Sequence, residues 1–295
     1  MVAHHAFLIT ETGEAVRSDC PDALFPYWSF TKTVLAICAL RLVERGKLEL
    51  DAPLVGQRYS LRQLINHSAG LPDYGQFPEY GAAVRAGGPA WPRQQMLDVA
   101  RSRGMLFEPG DGWSYSNVGY MFLRELIEAT CGQPIGDVIQ QEITEPLALK
   151  SVEFAETQAQ FVRLHWPEAA DYDPNWVYHG CLVGTAADAC RLLDALFRGR
   201  LLQPDTVMQM TRTTPLGGPL PGRPWAECGY GLGLMAGTVN GLGRVMGHSG
   251  AGPFCVNAVY HFPDLDQPIT AACFGPGCEE GPVEFGVTAI AAEFT

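Results

Sequence analysis

Between Thr31 and Gly46, apolar residues fall at Val34, Leu35, Ile37, Cys38, Leu40, Leu42 and Val43. That is too dense for a single stripe, so the segment predicts a helix buried on nearly every side and stopped by glycine. Ser29 therefore stands at or just before the N-terminus of a buried helix. Upstream, short apolar runs at 6–10 and 14–18 flank Glu11-Thr12-Gly13, the pattern of a hairpin. Residues 60–67 start with a capping serine, keep apolar spacing and run into the turn Ser68-Ala-Gly-Leu-Pro72. A loop rich in Gly, Pro and Tyr then extends to about residue 92 and gives way to a helix over 93–103. Glu108-Pro-Gly-Asp-Gly112 is a turn just ahead of Tyr115, which puts that tyrosine on a loop or at its exit.

Further along, Met121–Thr130 reads as an amphipathic helix, and another runs from Pro134 to about Glu142. Residues 155–183 are irregular and rich in aromatics. Thr185 caps a helix through Leu196, with Asp188 in the capping-box position, and a second helix covers 204–211. After residue 224 the texture changes to short apolar or alternating runs at 229–235, 243–248, 254–262 and 268–274. They read as an antiparallel meander, closed by a helix over about 282–293. Strands at both ends with helices between them predict an α/β protein of the α+β kind. Its antiparallel sheet is built from both chain termini and flanked by helices. The expected division is a sheet domain of residues 1–50 and 185–295, with residues 51–184 as an inserted, mainly helical domain.

Composition narrows the function classes. The chain has 295 residues, 47% of them hydrophobic, enough for a sizeable core. A formal charge of −12, from 32 acidic against 20 basic residues, disfavours nucleic acid and anionic membrane surfaces. A small-molecule partner is expected instead; the sequence carries no reading of oligomeric state. Nine cysteines, at 20, 38, 131, 181, 190, 228, 255, 273 and 278, lack paired CxxC spacing and read as buried free thiols in a reducing compartment. The N-terminal decapeptide has no Lys or Arg ahead of its short apolar run, so it fails as a signal peptide, and no stretch has the length of a membrane span. A cytoplasmic location is the resulting expectation.

Three segments carry candidate chemistry. Ser29 and Lys32 lie three apart on a helix start and share a face, so the lysine can reach the serine hydroxyl. A serine is a weak nucleophile until a base takes its proton, and lysine serves only when desolvation or neighbouring cations lower its pKa. The helix N-terminus adds partial positive charge, which favours the neutral amine and helps bind an oxyanion. Tyr115 and Asn117, on either side of Ser116, can point into one cleft, where a tyrosinate beside a lysine ammonium would act as a general base. His248-Ser249-Gly250 opens a predicted strand in which glycine permits close approach of a substrate backbone. The Ala251 N–H would then pair with the Ser29 N–H as oxyanion donors. Taken singly, each segment has an ordinary alternative: a solvated first-turn lysine, a turn asparagine, a structural histidine.

Together, in this order and in helix, loop and strand contexts, the three segments resemble the signature set of the serine β-lactamase and penicillin-binding-protein superfamily, and most nearly its class C branch of esterases and D-aminopeptidases. The resemblance extends to Asn66-His-Ser-Ala-Gly-Leu-Pro72, Phe107-Glu-Pro-Gly110, Glu145-Pro-Leu-Ala-Leu149, Gly184-Thr-Ala-Ala-Asp188 and Gly229-Tyr-Gly-Leu-Gly233, most of residues 25–275. It implies Ser29 as the acylated nucleophile, Lys32 and Tyr115 as the proton-handling pair, and Asn117, His248, Ser249 and Gly250 as substrate binders. No cofactor or metal is implied. The β-lactamases carry lysine where this chain has His248, so the resemblance points to an esterase or D-amino-acid amidase acting on small esters, amides or short peptides. The alternatives on the same fold are a β-lactamase and a penicillin-binding ligand sensor.

Competing hydrolase readings are weaker. Gly247-His-Ser249-Gly-Ala251 approaches a G-x-S-x-G nucleophile elbow, but no histidine follows Asp264 or Asp266, the last being His261. The histidines fall in no metal-ligand spacing. The glycine-rich stretches at 229–233 and 241–247 lack the strand-to-helix setting of a nucleotide loop.

Overall fold

The computed structural model describes residues 4–10, 12–17 and 20–295. Eleven strands form two sheets among these residues. The strands are β1 (His5–Thr10), β2 (Gly13–Val16), β3 (Phe25–Pro26), β4 (Glu153–Ala155), β5 (Cys181–Gly184), β6 (Thr214–Gly217), β7 (Trp225–Tyr230), β8 (Met235–Val239), β9 (Gly243–Ala251), β10 (Cys255–Phe262) and β11 (Ile269–Pro276). The larger sheet has the order β2-β1-β11-β10-β9-β8-β7-β6, so the first hairpin docks against the last strand, His5 opposite Phe274. This is the expected sheet drawn from both termini. Within that hairpin Glu11 and Ser18 lie outside the described residues, as do Met1–Ala3 of the N-terminal segment.

Ten α-helices accompany the sheets among the described residues: α1 (Phe30–Glu44), α2 (Leu61–Ile65), α3 (Pro78–Ala86), α4 (Arg93–Arg103), α5 (Asn117–Cys131), α6 (Ile135–Ile139), α7 (Gln158–Phe161), α8 (Ala186–Phe197), α9 (Pro204–Met210) and α10 (Gly281–Ala291). Helix α1 is buried at twelve of its fifteen positions, as its continuous apolar run predicts. Because strand side chains alternate between faces, Ala272 and Phe274 of β11 join the core that includes α1 and α8, whereas Ala271 and Cys273 join α10 on the other face. The meander is thus covered on both sides.

Three parts differ from expectation. The loop before residue 92 contains α3, which has no fully buried residue and packs on the core only through the partly buried Tyr80, Ala83 and Val84, a stripe too short to stand out among the Gly, Pro and Tyr residues around it. The stretch 155–183 supplies β5, which pairs with β3 and β4 in a second, three-stranded sheet. Strands of two to four residues are too short to show a period. The expected run 229–235 is the end of β7, a turn, and the start of β8. Gly233 makes that turn with φ 81°, and a Cβ there would lie 2.3 Å from Ala36 Cβ of α1.

Six cysteines, Cys38, Cys181, Cys190, Cys228, Cys255 and Cys273, are buried free thiols, whereas Cys131 is half-buried and Cys278 exposed. No helix among the described residues is long and apolar enough to cross a membrane.

Candidate active site

The chain enters α1 through a tight bend. Trp28, buried and donating its indole N–H to Cys255 Sγ at 3.3 Å, has φ 42°, a left-handed conformation that costs a bulky residue energy. Ser29 follows as the N-cap, yet its hydroxyl makes no capping bond. That leaves Oγ to other partners. The hydroxyl of Tyr115 donates to it at 2.8 Å, and Lys32 Nζ lies 3.1 Å away. The first turn of α1 holds no acidic residue, so the positive end of the helix dipole is not neutralised there.

Lys32 is fully buried. Loss of hydration pushes its pKa down to about 7, against a smaller opposing pull from the negative charge of Asp73. Among the described residues no carboxylate lies within ion-pair distance of it. Its other close partner is His179 Nε2, at 3.0 Å, and the faces of Tyr115 and Tyr120 lie 5.0 and 5.6 Å from Nζ. Burial acts on Tyr115 in the opposite sense, raising its pKa well above that of a solvated phenol, with the Tyr230 hydroxyl adding to the rise. The two shifts together leave the proton on Tyr115 and make Lys32 the more readily deprotonated member. This differs from the expectation of a tyrosinate beside an ammonium, because burial disfavours both charges at once.

Ser116 sets the start of α5. Its hydroxyl accepts from the Gly119 N–H at 2.9 Å and donates to the Pro72 carbonyl at 2.8 Å, while its N–H donates to His67 Nδ1 at 3.1 Å. Asn117, the first residue of α5, lines the cleft, and its amide N–H donates to Asp73 Oδ1 at 2.8 Å. Asp73 itself is buried, and desolvation raises its pKa. Asp73 and His179 were not singled out from the sequence, and His67 only as part of the Asn66–Pro72 segment. Asp73 directly follows the Asn66–Pro72 segment, which is a signal that could have found it; His179 lies in the aromatic-rich stretch without one.

The strand β9 divides its residues between the two faces of the sheet. His248 and Gly250 face α1. His248 Nδ1–H donates to the Ser249 carbonyl, so Nε2 accepts from the Tyr230 hydroxyl at 2.9 Å. Burial brings its pKa down to about 3, and the imidazole is neutral. Ser249 faces the other way. Its hydroxyl accepts from Arg223 at 2.9 Å, and that guanidinium pairs with the buried Glu284 of α10 at 2.6 Å. This alternation turns the Ser249 hydroxyl away from the cleft and leaves only its backbone on the side of Ser29, and the same orientation removes the nucleophile-elbow reading. Gly250 lies against the bend before α1: a Cβ on it would come within 2.7 Å of Ser29 N and 2.9 Å of Trp28 Cβ. Ala251 ends β9, exposed, and lines the same cleft as Ser29.

That cleft has a volume of about 430 Å³. Ser29, Asn117 and Ala251 open onto it between walls formed by Trp28, Tyr80, Val84, Tyr172 and Pro253. Its size suits a small ligand with an apolar group.

Comparison with known proteins agrees with this architecture. The chain is 32% identical over 190 residues to Penicillin-binding protein 4* of Bacillus subtilis (strain 168), which covers 59% of this chain and 39% of that one. It is 27% identical over 250 residues to a D-aminopeptidase of Brucella anthropi, covering 78% of this chain and 45% of the relative. The chain thus spans less than half the length of either. Among solved structures, D-amino acid amidase from Ochrobactrum anthropi SV3 superposes with a TM-score of 0.81 at 23% identity, over 99% of this chain and 94% of that one. The family model described as Beta-lactamase matches residues 5–274, and the chain belongs to that family.

Proposed function

We propose that this protein is a serine hydrolase that cleaves a small ester or amide through an acyl-enzyme on Ser29. The observation that carries the reading is the convergence of Lys32 Nζ and the Tyr115 hydroxyl on Ser29 Oγ, at 3.1 and 2.8 Å, in a cleft. Neutral Lys32 takes the Ser29 proton as Oγ attacks the carbonyl carbon. The oxyanion rests on the N–H groups of Ser29 and Ala251, a placement supported by the close approach of Gly250 to Ser29 N. Tyr115 protonates the departing oxygen or nitrogen and is reprotonated at the expense of Lys32, which returns to the neutral amine. Water then repeats the sequence on the acyl-enzyme, with Lys32 again accepting the proton. Asn117 binds the substrate carbonyl side, and Gly250 and His248 shape the strand along which substrate lies.

The relatives include a penicillin-binding protein and a D-aminopeptidase. Between these, the neutral His248 favours ester and D-amino-acid amide substrates over β-lactams. A buried imidazole whose two nitrogens are already bonded offers no cation to a substrate carboxylate. Short-chain nitrophenyl esters, D-alanyl amides and a chromogenic cephalosporin, assayed side by side, test this. Turnover of the first two classes is expected, and a clear preference for the cephalosporin overturns it. Ser29→Ala should lower kcat by about 10³-fold or more, and an unaffected variant refutes the nucleophile. We also propose a cytoplasmic location, which the free buried thiols support, and a division into a sheet domain of 1–50 and 185–295 with 51–184 inserted.

A further inference from the structure

His179 joins two polar groups that the proposed reaction leaves unconnected. It is buried just before β5, lines the same cleft as Ser29, and has a hydrogen-bond partner on each ring nitrogen. Nε2 lies 3.0 Å from Lys32 Nζ, and Nδ1 lies 3.2 Å from the Tyr74 hydroxyl oxygen. The backbone N–H of Tyr178 donates to that same oxygen at 3.2 Å.

A neutral imidazole has one N–H and one lone pair, and the two tautomers have opposite consequences here. With the proton on Nδ1, the ring donates to Tyr74, and Nε2 accepts an N–H from Lys32, whether amine or ammonium. One N–H is then held away from Ser29, and the lone pair of the neutral amine is left to face the serine proton. With the proton on Nε2, the ring donates into that lone pair and occupies the site the Ser29 proton needs. The heavy atoms are in the same places in both cases; only the first leaves a working base. The charged state selects the first, because an ammonium can only donate and its acceptors among the described residues are Ser29 Oγ and His179 Nε2.

We propose that His179 is a positioning residue that holds one N–H of Lys32 so that the amine lone pair stays turned toward Ser29, the Nδ1 proton of the ring being accepted by the Tyr74 hydroxyl oxygen. The inference rests on the reading of Lys32 as the proton acceptor of Ser29. The other titratable groups around Lys32 do not duplicate this contact. Asp73 from the loop after α2 acts on it through its charge, Cys181 of β5 is kept a neutral thiol by burial, His67 and His248 are neutral, and Tyr115 and Tyr120 present ring faces.

The tautomer is read directly by long-range ¹H–¹⁵N correlation of the imidazoles in the labelled full chain, with His179 assigned by its loss in His179→Gln. Protonation at Nδ1 is expected in the wild type, and a shift of population toward Nε2 in Tyr74→Phe; an Nε2-protonated wild type overturns the proposal. In ester hydrolysis, His179→Leu should lower kcat by about tenfold or more with KM within about twofold. It should also move the acid limb of kcat to lower pH, because charged Lys32 loses an acceptor. His179→Gln, whose Oε1 can accept the same N–H, should recover most of the rate. A leucine variant with wild-type kcat and an unmoved limb refutes the assignment. Fluorophosphonate labelling of the wild type separates the two layers: no adduct at Ser29 counts against the hydrolase reading, while the tautomer spectrum still decides His179.

Discussion

Lys32 has no exposed surface and no paired carboxylate, so the burial that makes it a base also costs the fold stability. Its titration sets the expected rate profile. Protonated lysine cannot take the Ser29 proton, so kcat/KM should rise with pH through about 7 and then level. The raised pKa of Tyr115 keeps the phenol protonated well into the alkaline range, so no early fall follows. An ester assay from pH 5 to 9 measures this, and a flat profile across pH 6–8 would sink the role of Lys32. The stability side is tested by Lys32→Met, which fills the same space without a charge. It should abolish turnover yet raise unfolding stability by about 1–3 kcal/mol at pH 6. The sign follows from linkage: with the native pKa held below that of a free lysine, the unfolded chain binds more protons between the two values, and wild-type stability rises with pH there. A methionine variant less stable than wild type at pH 6 would show that burial of Lys32 is not a cost.

The contact between α1 and β9 is the element-level device that brings the serine to the oxyanion donors. Gly250 is its closest point, and a methyl group there has nowhere to go, since both the Ser29 amide and Trp28 lie within 3 Å of it. Gly250→Ala should therefore displace the bend, at a stability cost of about 1–3 kcal/mol, and slow fluorophosphonate labelling of Ser29 by about tenfold or more. Labelling at the wild-type rate would mean that the strand does not set the serine's position. Much of this device was legible beforehand. The density of apolar residues from Val34 to Val43 marks α1 as buried, its start locates Ser29, and the turn residues before Tyr115 put that tyrosine where a loop enters a helix. What could not be read were contacts made through isolated side chains. Asp73 and His179 reach the site from segments without a 2.0 or 3.6 period, and α3 meets the core only through the partly buried Tyr80, Ala83 and Val84. The inversion of Ser249 away from its neighbours His248 and Gly250 follows from strand alternation. It was missed because the three residues were treated as one motif, although a strand presents them to two different cores.

At the scale of the whole molecule, four histidines are held neutral by the fold: His67, His179 and His248 in the core around the site, and His261, half-buried on β10 against Phe197. Burial lowers the pKa of each, to about 3 for His248 and about 4 for His261. In the unfolded chain these groups titrate near the ordinary histidine value of about 6.5. Below that pH the unfolded chain takes up protons that the native state refuses. The stability they permit is thus fully present above about pH 6.5 and is lost as pH falls toward the native values, by roughly 1.4 kcal/mol per pH unit for each group. The paired carboxylates act later. Glu14, Asp51, Glu142 and Asp264 are held below the usual range by hydrogen bonds from Arg191, Arg62, Arg45 and Arg244, so their share disappears only in stronger acid, and it is small because these pairs are solvent-screened. Acid unfolding should therefore begin with the histidines. The unfolding free energy from urea titration is expected to fall steeply between pH 6.5 and about 5, by several kcal/mol, comparable to the whole stability of an ordinary domain, with the midpoint falling alongside it. His261→Gln keeps a group able to bond Thr270 Oγ1, the partner of His261 Nδ1 at 2.9 Å, and lies away from the cleft. It should make the slope shallower by roughly a quarter while leaving ester turnover at pH 7.5 unchanged. A midpoint that stays level from pH 7.5 to 5 and drops only below about 4 would assign acid lability to the surface carboxylates and refute the histidine account.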